Sequence, residues 1–185
     1  MTPNQFNFIP DSTLQASVGV VFEHIVKLIE IVDNLSYPQE AKSALCKTII
    51  IHTSSIIEAL LFSLLDLRYS DDDIKAHYAT WQLTKPFHQL HEVNPGHNVV
   101  AGQYKLVSGK LGKTKLNFSQ ICDFLKAQGD ITPEMHKSIS KVRDMRNEQH
   151  LATQKKLKTY TRKDVAEVFV TARQIKEFVR DALQT

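Results

Sequence analysis

The segment 48–67, TIIIHTSSIIEALLFSLLDL, limits the folds open to this chain more than any other stretch. Its apolar residues lie on more than one side of a helix, which is typical of a helix that is buried nearly all round. A membrane span needs about 20 mostly apolar residues. Polar and charged residues interrupt this segment: His52, Thr53, Ser54, Ser55 and Glu58. We therefore expect the central helix of a bundle in water and no membrane partner.

Helical patterns fill most of the remaining chain. The central helix is expected from Pro38 to about Leu67, because proline suits the first turn. The other helices are predicted from Asp11–Ser12 to about Asn34, from Asp71 through Trp81 with an end left open near Pro86, from Asn117 or Ser119 to Gly129, from Thr132–Pro133–Glu134 to about Thr153, and from Thr161 or Arg162 to Leu183. These patterns predict an all-α, up-and-down bundle of about five or six helices in a single domain, residues 1–185.

The segment 93–116 departs from the helical pattern, since it holds four of the six glycines. It predicts a long loop or a small β-hairpin insertion near 98–116, around SGKLGK. Gly112–Lys113–Thr114 matches the second half of a phosphate-binding loop, but the first glycine of that motif would fall on Val107. A nucleotide site is therefore not expected here.

Three histidines in HQLHEVNPGH, namely His88, His91 and His97, raise the question of a metal site. His88 and His91 could share one helix face, but no cysteine is close and a fourth ligand has no candidate. Surface histidines at a helix end are the favoured interpretation. No metal and no cofactor are predicted.

The charge distribution, the cysteines and the first residues of the chain indicate the class of partner and the cellular compartment. Residues 1–103 carry a net charge of −5 and residues 104–185 a net charge of +8, which favours an anionic partner or serves solubility. Cys46 and Cys122 lie in apolar helical segments and are expected to be buried free thiols in a reducing compartment. The stretch MTPNQFNFIPDST lacks the basic start and apolar run of a secretory signal, so a cytoplasmic location is expected.

The strongest candidate site lies in VRDMRNEQHLATQ, residues 142–154. Arg143, Arg146, Asn147 and His150 are spaced i, i+3, i+4 and i+7, so a helix places them on one face. Guanidinium groups grip phosphate oxygens, and an imidazole can move protons near neutral pH. Such a set could position an RNA phosphate and activate the neighbouring 2′-hydroxyl. The alternative is an ion-pair network that locks helices together.

Glu58 is the one acid in the middle of the apolar segment, and a buried carboxylate needs a partner. Arg146 lies closest to the apolar stripe of the motif helix, which runs through Ile139 and Val142. We therefore predict that Glu58 pairs with Arg146 between the two helices. Arg143, Asn147 and His150 would then be left for a cleft.

Three stretches of this chain resemble the HEPN superfamily of small helical domains from toxins, defence proteins and RNA-processing factors. They are RDMRNEQHL, KTIIIHTSSIIEALLFSLL and YTRKDVAEVFVTARQIKEFV. The family motif places Arg, then a polar residue, then His, with four to six residues between Arg and His. Six residues separate Arg143 from His150, whereas only three separate Arg146 from His150, so which arginine belongs to the motif stays open.

The resemblance implies an RNA-binding protein, either a metal-independent endoribonuclease or a non-catalytic interaction domain whose Arg/His cluster is structural. In the catalytic case His150 is the general acid or base, Arg143 or Arg146 holds the phosphate, and Asn147 orients it. Glu58 has a structural or phosphate-binding role beside Arg146. Catalytic members act as dimers with the motif facing a shared cleft, so the partners implied are a second copy, RNA, and an antitoxin or other protein.

Overall fold

A computed structural model describes residues 5–34, 36–148 and 158–184 of the chain, apart from the side chains of 34, 87–94 and 97–101. Six α-helices and one antiparallel pair of strands make up the described part. In chain order these are α1 Ser12–Asn34, α2 Gln39–Arg68, α3 Asp71–His77, β1 Thr80–Asn94, β2 His97–Val107, α4 Phe118–Ala127, α5 Pro133–Asn147 and α6 Arg162–Gln184. The predicted all-α bundle with a small hairpin is confirmed.

The chain forms two compact units. Residues 1–68 and 117–185 contain α1, α2, α4, α5 and α6, and residues 69–116 contain α3, the hairpin and a short 3-10 helix, Lys113–Lys115. The prediction of a single domain over residues 1–185 stays a prediction.

The core of the helical unit is built around α2, which packs against α1, α4, α5 and α6. Its fully buried side chains lie on one broad side of the helix, which is less than the nearly complete burial expected from the sequence: Ile49, Ile50, Ile57, Leu60, Leu61, Leu64 and Leu65. Among the described residues α2 is the one helix long and apolar enough to cross a membrane by length and composition, and most of its apolar stretch is buried within the protein.

Two hydroxyl side chains in the middle of α2 form hydrogen bonds within the helix itself. The Thr53 hydroxyl donates to the Ile49 carbonyl at 2.7 Å, and the Ser55 hydroxyl donates to the Ile51 carbonyl at 3.1 Å. Bonding to the carbonyl four residues back satisfies a hydroxyl without a partner from another helix. The Thr53 and Ser55 hydroxyls are therefore satisfied within α2, whereas the buried Ser54 hydroxyl has no hydrogen-bond partner among the described residues.

Local caps fix where the helices of the site begin. Thr132 accepts a hydrogen bond from the Met135 amide at 3.2 Å, and Pro133 occupies the first turn of α5. Asn117 and Gln120 form a reciprocal capping box at the start of α4. Both starts were predicted; the extension of the motif helix to Thr153 lies outside the described residues.

The hairpin was predicted too far along the chain. It runs from Thr80 to Val107 and turns at Pro95–Gly96, where Gly96 has a φ of +80°, rather than around SGKLGK. The expected helix through Trp81 is wrong, because α3 ends at His77 and Trp81 pairs with Leu106 in the ribbon.

The hairpin and the loop that follows it contain the histidines and the glycine-rich motif considered above as metal and nucleotide sites. His88 and His91 lie in β1, so they do not share a helix face. In the SGKLGK loop, the Lys113 amide donates to the Asp71 carboxylate at 2.8 Å, where a phosphate-binding loop would present its amide to a phosphate. In this loop the Lys113 amide is thus engaged by a carboxylate of the protein.

Candidate functional site

A cleft of about 460 Å³ lies within the helical unit at the C-terminal end of α5. Three helices contribute to it: α2, the start of α4 and the last turn of α5. Its lining residues are Glu58, Asn117, Phe118, Ser119, Arg143, Asp144, Arg146 and Asn147. The cleft therefore brings together every described residue of the predicted site.

Glu58 and Arg146 form an ion pair between α2 and α5, as predicted. Arg146 Nη1 donates to Glu58 Oε2 at 2.5 Å. The side chains are 29% and 34% exposed, respectively, so the pair lies on the wall of the cleft rather than inside the core. Both groups line the cleft, so the pair shares it with Arg143 and Asn147 rather than leaving it to them.

Arg143 is held by its neighbours on two sides. Its Nη1 donates to the Ser119 hydroxyl at 2.6 Å, while Nε and Nη2 both donate to Asp144 Oδ1, at 3.3 and 3.1 Å. The Arg143 side chain is 25% exposed and that of Asp144 is 62% exposed. A ligand phosphate could take the place of Asp144, because an exposed carboxylate gives up such a pair at little cost.

Ser119 connects Arg143 to a further pair of residues on α4 and α5. The Ser119 hydroxyl donates to Asp123 Oδ2 at 3.2 Å, and Asp123 Oδ1 lies 2.8 Å from His136 Nε2. This chain of contacts fixes Ser119 as the acceptor for Arg143. It therefore restricts the direction in which the Arg143 guanidinium points into the cleft.

His150, the predicted acid or base, lies outside the described residues. Asn147 is the last residue of α5, is exposed and lines the cleft, as the shared helix face predicted. Arg143, Arg146 and Asn147 thus converge on one cleft, and the roles proposed for them and for His150 stay predictions.

The lining residues that the sequence does not point to are Asn117, Phe118 and Ser119. Asp144 is the polar residue that directly follows Arg143 in the motif. Asn117 and Ser119 are brought in by α4, and no spacing in the sequence relates that helix to the motif helix. In ionised side chains the described lining is balanced, with two guanidiniums and two carboxylates.

Cys122 lies beside the cleft on α4 and is a buried free thiol, as is Cys46. Burial raises the pKa of the Cys122 thiol to about 12; Asp123 and Glu58 add to the rise, and Arg143 opposes it. The thiol is therefore neutral and unreactive near neutral pH. Among the described residues there is also no cluster of three or more His, Cys, Asp or Glu side chains placed to hold a metal ion.

Removing either partner of the Glu58–Arg146 pair should destabilise the fold. We expect Glu58→Ala and Arg146→Ala each to lower the free energy of unfolding by about 1–2 kcal/mol, less than for a fully buried pair because both groups are partly solvated. The double variant should lose much less than the sum of the two. Chemical denaturation of the four proteins measures this coupling.

The matched control is Lys141–Glu167, a pair between α5 and α6 with 2.6 Å between charged atoms and greater exposure. Its coupling should stay below about 1 kcal/mol, as for other exposed pairs. If the two double-mutant cycles gave equal coupling free energies, Glu58–Arg146 would be no more than a surface ion pair.

Cys122 should make stability fall at alkaline pH. A thiol with an ordinary pKa of 9.0 that rises to about 12 in the fold stabilises the protein fully below pH 9. That stabilisation is lost between about pH 9 and 12, at up to roughly 1.4 kcal/mol per pH unit, because only the unfolded chain ionises there. Denaturation at several pH values should give a flatter profile for Cys122→Ala than for the wild type. Parallel profiles would contradict the raised pKa.

Comparison with known proteins adds no relative to this picture. Searches with protein-family models, curated proteins and solved structures gave no match to the chain. The HEPN resemblance therefore rests on the three stretches of sequence themselves.

Proposed function

We propose that this chain is a HEPN-type RNA-binding protein that acts as a metal-independent endoribonuclease of a toxin or defence system. One observation carries the proposal: two guanidiniums and the Asn147 amide converge on a single cleft at the end of α5. Guanidinium groups and amides are the donors that hold phosphate oxygens in protein sites. A cytoplasmic location and an antitoxin partner belong to the same proposal.

Arg143 is the better candidate for the phosphate-binding arginine. Arg146 already donates to Glu58 at 2.5 Å, whereas the carboxylate partner of Arg143 is the exposed Asp144. Its spacing from His150 also fits the family motif. Arg146 would then keep α5 in place, and Asn147 would orient the bound phosphate.

The proposed reaction is a transfer within the RNA strand. The 2′-oxygen attacks the adjacent phosphorus, the bond from phosphorus to the 5′-oxygen breaks, and a 2′,3′-cyclic phosphate forms. The 2′-hydroxyl proton goes to a base, and the leaving 5′-oxygen receives a proton from an acid. His150 is proposed for one of these roles.

A second candidate function is a non-catalytic interaction domain. The hydrogen bonds of Arg143 and Arg146 to Ser119, Asp144 and Glu58 favour it, because such bonds also lock helices together. In that case the cluster stabilises α5 and the partner is a protein. The two functions differ in what Asp144 does, since only an RNA site has to displace it.

Cleavage is expected when purified protein is mixed with RNA and excess chelator, with 2′,3′-cyclic phosphate ends on the products. His150→Ala should abolish cleavage, and Arg143→Ala should reduce it at least about tenfold without a large loss of stability. Asp144→Asn should tighten RNA binding, because it removes the competing carboxylate from Arg143.

The control for this experiment is Lys141→Ala, which removes an exposed cation from the same helix outside the cleft. It should lower cleavage far less than Arg143→Ala does, because it removes one exposed charge and no contact in the cleft. Cleavage that stops with chelator or persists in His150→Ala would rule out the mechanism. Protein that neither binds nor cuts RNA, and is indifferent to Asp144→Asn, would favour the interaction domain.

A homodimer is expected, with the Arg143–His150 face at or near a twofold interface. One motif supplies a single histidine, whereas the reaction needs both a base and an acid, and twofold symmetry would duplicate the set in one groove. Light scattering at micromolar concentration should give twice the chain mass. Asn147→Cys should form a disulfide-linked dimer on mild oxidation, and Lys163→Cys on α6 should not. A monomeric mass would contradict the dimer.

A further inference from the structure

A second cleft, which we call the α1–α6 groove, lies on the side of α2 opposite Glu58. It has a volume of about 460 Å³ and is floored by Thr53 and Ile56, with α1 and α6 as its walls. At about 100° per residue, Glu58 lies roughly 140–160° around α2 from these two residues. The α1–α6 groove is therefore separate from the motif cleft and independent of the function proposed for it.

The floor and walls of the groove are apolar. Phe6 and Phe22 meet edge to face with ring centroids 5.7 Å apart, and Ile25 is almost fully buried beside them. From α6 the wall receives Phe169 and Ala172. The Thr53 hydroxyl is engaged by its own helix, so that residue presents little polarity. Volume and lining both suit a small apolar ligand.

One end of the groove is cationic. Arg173, Lys176 and Arg180 follow each other on α6 at spacings that share a face, beyond the apolar Phe169 and Ala172. Lys176 lies seven residues after Phe169, which is roughly 10 Å along the helix at about 1.5 Å per residue. The groove therefore changes from apolar to cationic over the length of a short hydrocarbon chain.

The two arginines of this rim have carboxylate partners. Arg173 Nε donates to Glu177 at 3.0 Å, and Arg180 Nε donates to Asp181 at 3.0 Å. Glu177 is the one acid among the described lining residues, and its carboxylate accepts this bond from Arg173. The arginines therefore contribute less positive charge to the groove than their number suggests.

Lys176 differs from them, because its contacts within the described chain are to neutral groups. Its Nζ donates to the Gln5 side-chain oxygen at 2.9 Å and lies 5.1 Å from the centre of the Phe6 ring. Burial lowers the pKa of Lys176 and the charge of Arg180 lowers it further, while Glu177 raises it. A half-buried ammonium without a bonded carboxylate is a ready partner for an anion at the edge of an apolar groove.

We propose that the α1–α6 groove binds a medium-chain fatty carboxylate, with its tail along Phe22, Ile56 and Phe169 and its carboxylate at Lys176. The apolar lining matches the tail, and Lys176, the one lining cation that has no bonded carboxylate among the described residues, matches the head. A neutral amphiphile could not form an ion pair with Lys176. A cationic amphiphile would be repelled by the three basic residues of the rim. A bare anion would leave the apolar surface unused.

Calorimetric titration with decanoate, kept below its micelle concentration, tests the proposal. Decanoate should bind at one molecule per chain with a negative heat-capacity change, the sign of apolar burial. Octanoate should bind about 15-fold more weakly, at about fourfold per methylene. Decanol should bind about tenfold more weakly than decanoate, and Lys176→Met should remove that difference while keeping the apolar stem.

Lys163→Met is the matched control, since it removes an exposed cation of α6 that does not line the groove. It should leave decanoate affinity unchanged. Equal loss in the two variants, equal binding of decanoate and decanol, or no binding of decanoate would each overturn the proposal. Flotation with anionic phospholipid vesicles but no binding of free decanoate would also overturn it, in favour of a membrane surface.

Discussion

The broad apolar side of α2 has to be covered, and this requirement shapes the whole helical unit. Burial of its side chains is the largest stabilising contribution that the sequence offers, because each large apolar side chain removed from water contributes about 1.5–3 kcal/mol. Four helices meet the demand by packing around α2. The positions of α4 and α5, and therefore of the motif cleft, follow from this packing.

Glu58 is an acid near the middle of this largely apolar helix, and it contributes to the orientation of the motif helix. Because a carboxylate at the edge of the core needs a partner, α5 has to present a cation to α2 at that level. Arg146 does so, and the helical spacing then places Arg143 and Asn147 on the neighbouring part of the same face. One ion pair thus connects the stability of the bundle with the geometry of the cleft.

The parts of this arrangement that could be predicted from sequence are those governed by local patterns or by a single strong requirement. The Thr132–Pro133 start of α5 follows from capping, and the Glu58–Arg146 pair follows from the need to neutralise one acid. Ser119 could not be predicted, because it reaches the cleft through packing between α4 and α5. The position of the hairpin is harder to predict, because the apolar residues near Trp81 also fit a helical spacing and the Asn-Pro-Gly turn does not show where the strands begin.

The balance of charge in the motif cleft limits what that cleft can contribute to RNA binding. Long-range attraction of a polyanion depends on net positive charge. In the described lining, Arg143 and Arg146 are offset by Glu58 and Asp144. Attraction would therefore come from basic residues elsewhere in the half 104–185, which carries a net charge of +8. The cleft itself would act through directional hydrogen bonds, which orient a phosphate already brought near. Such a cleft would contribute more to the orientation of the phosphate than to the affinity for RNA. Orientation of the phosphate is what the proposed attack by the neighbouring 2′-oxygen requires.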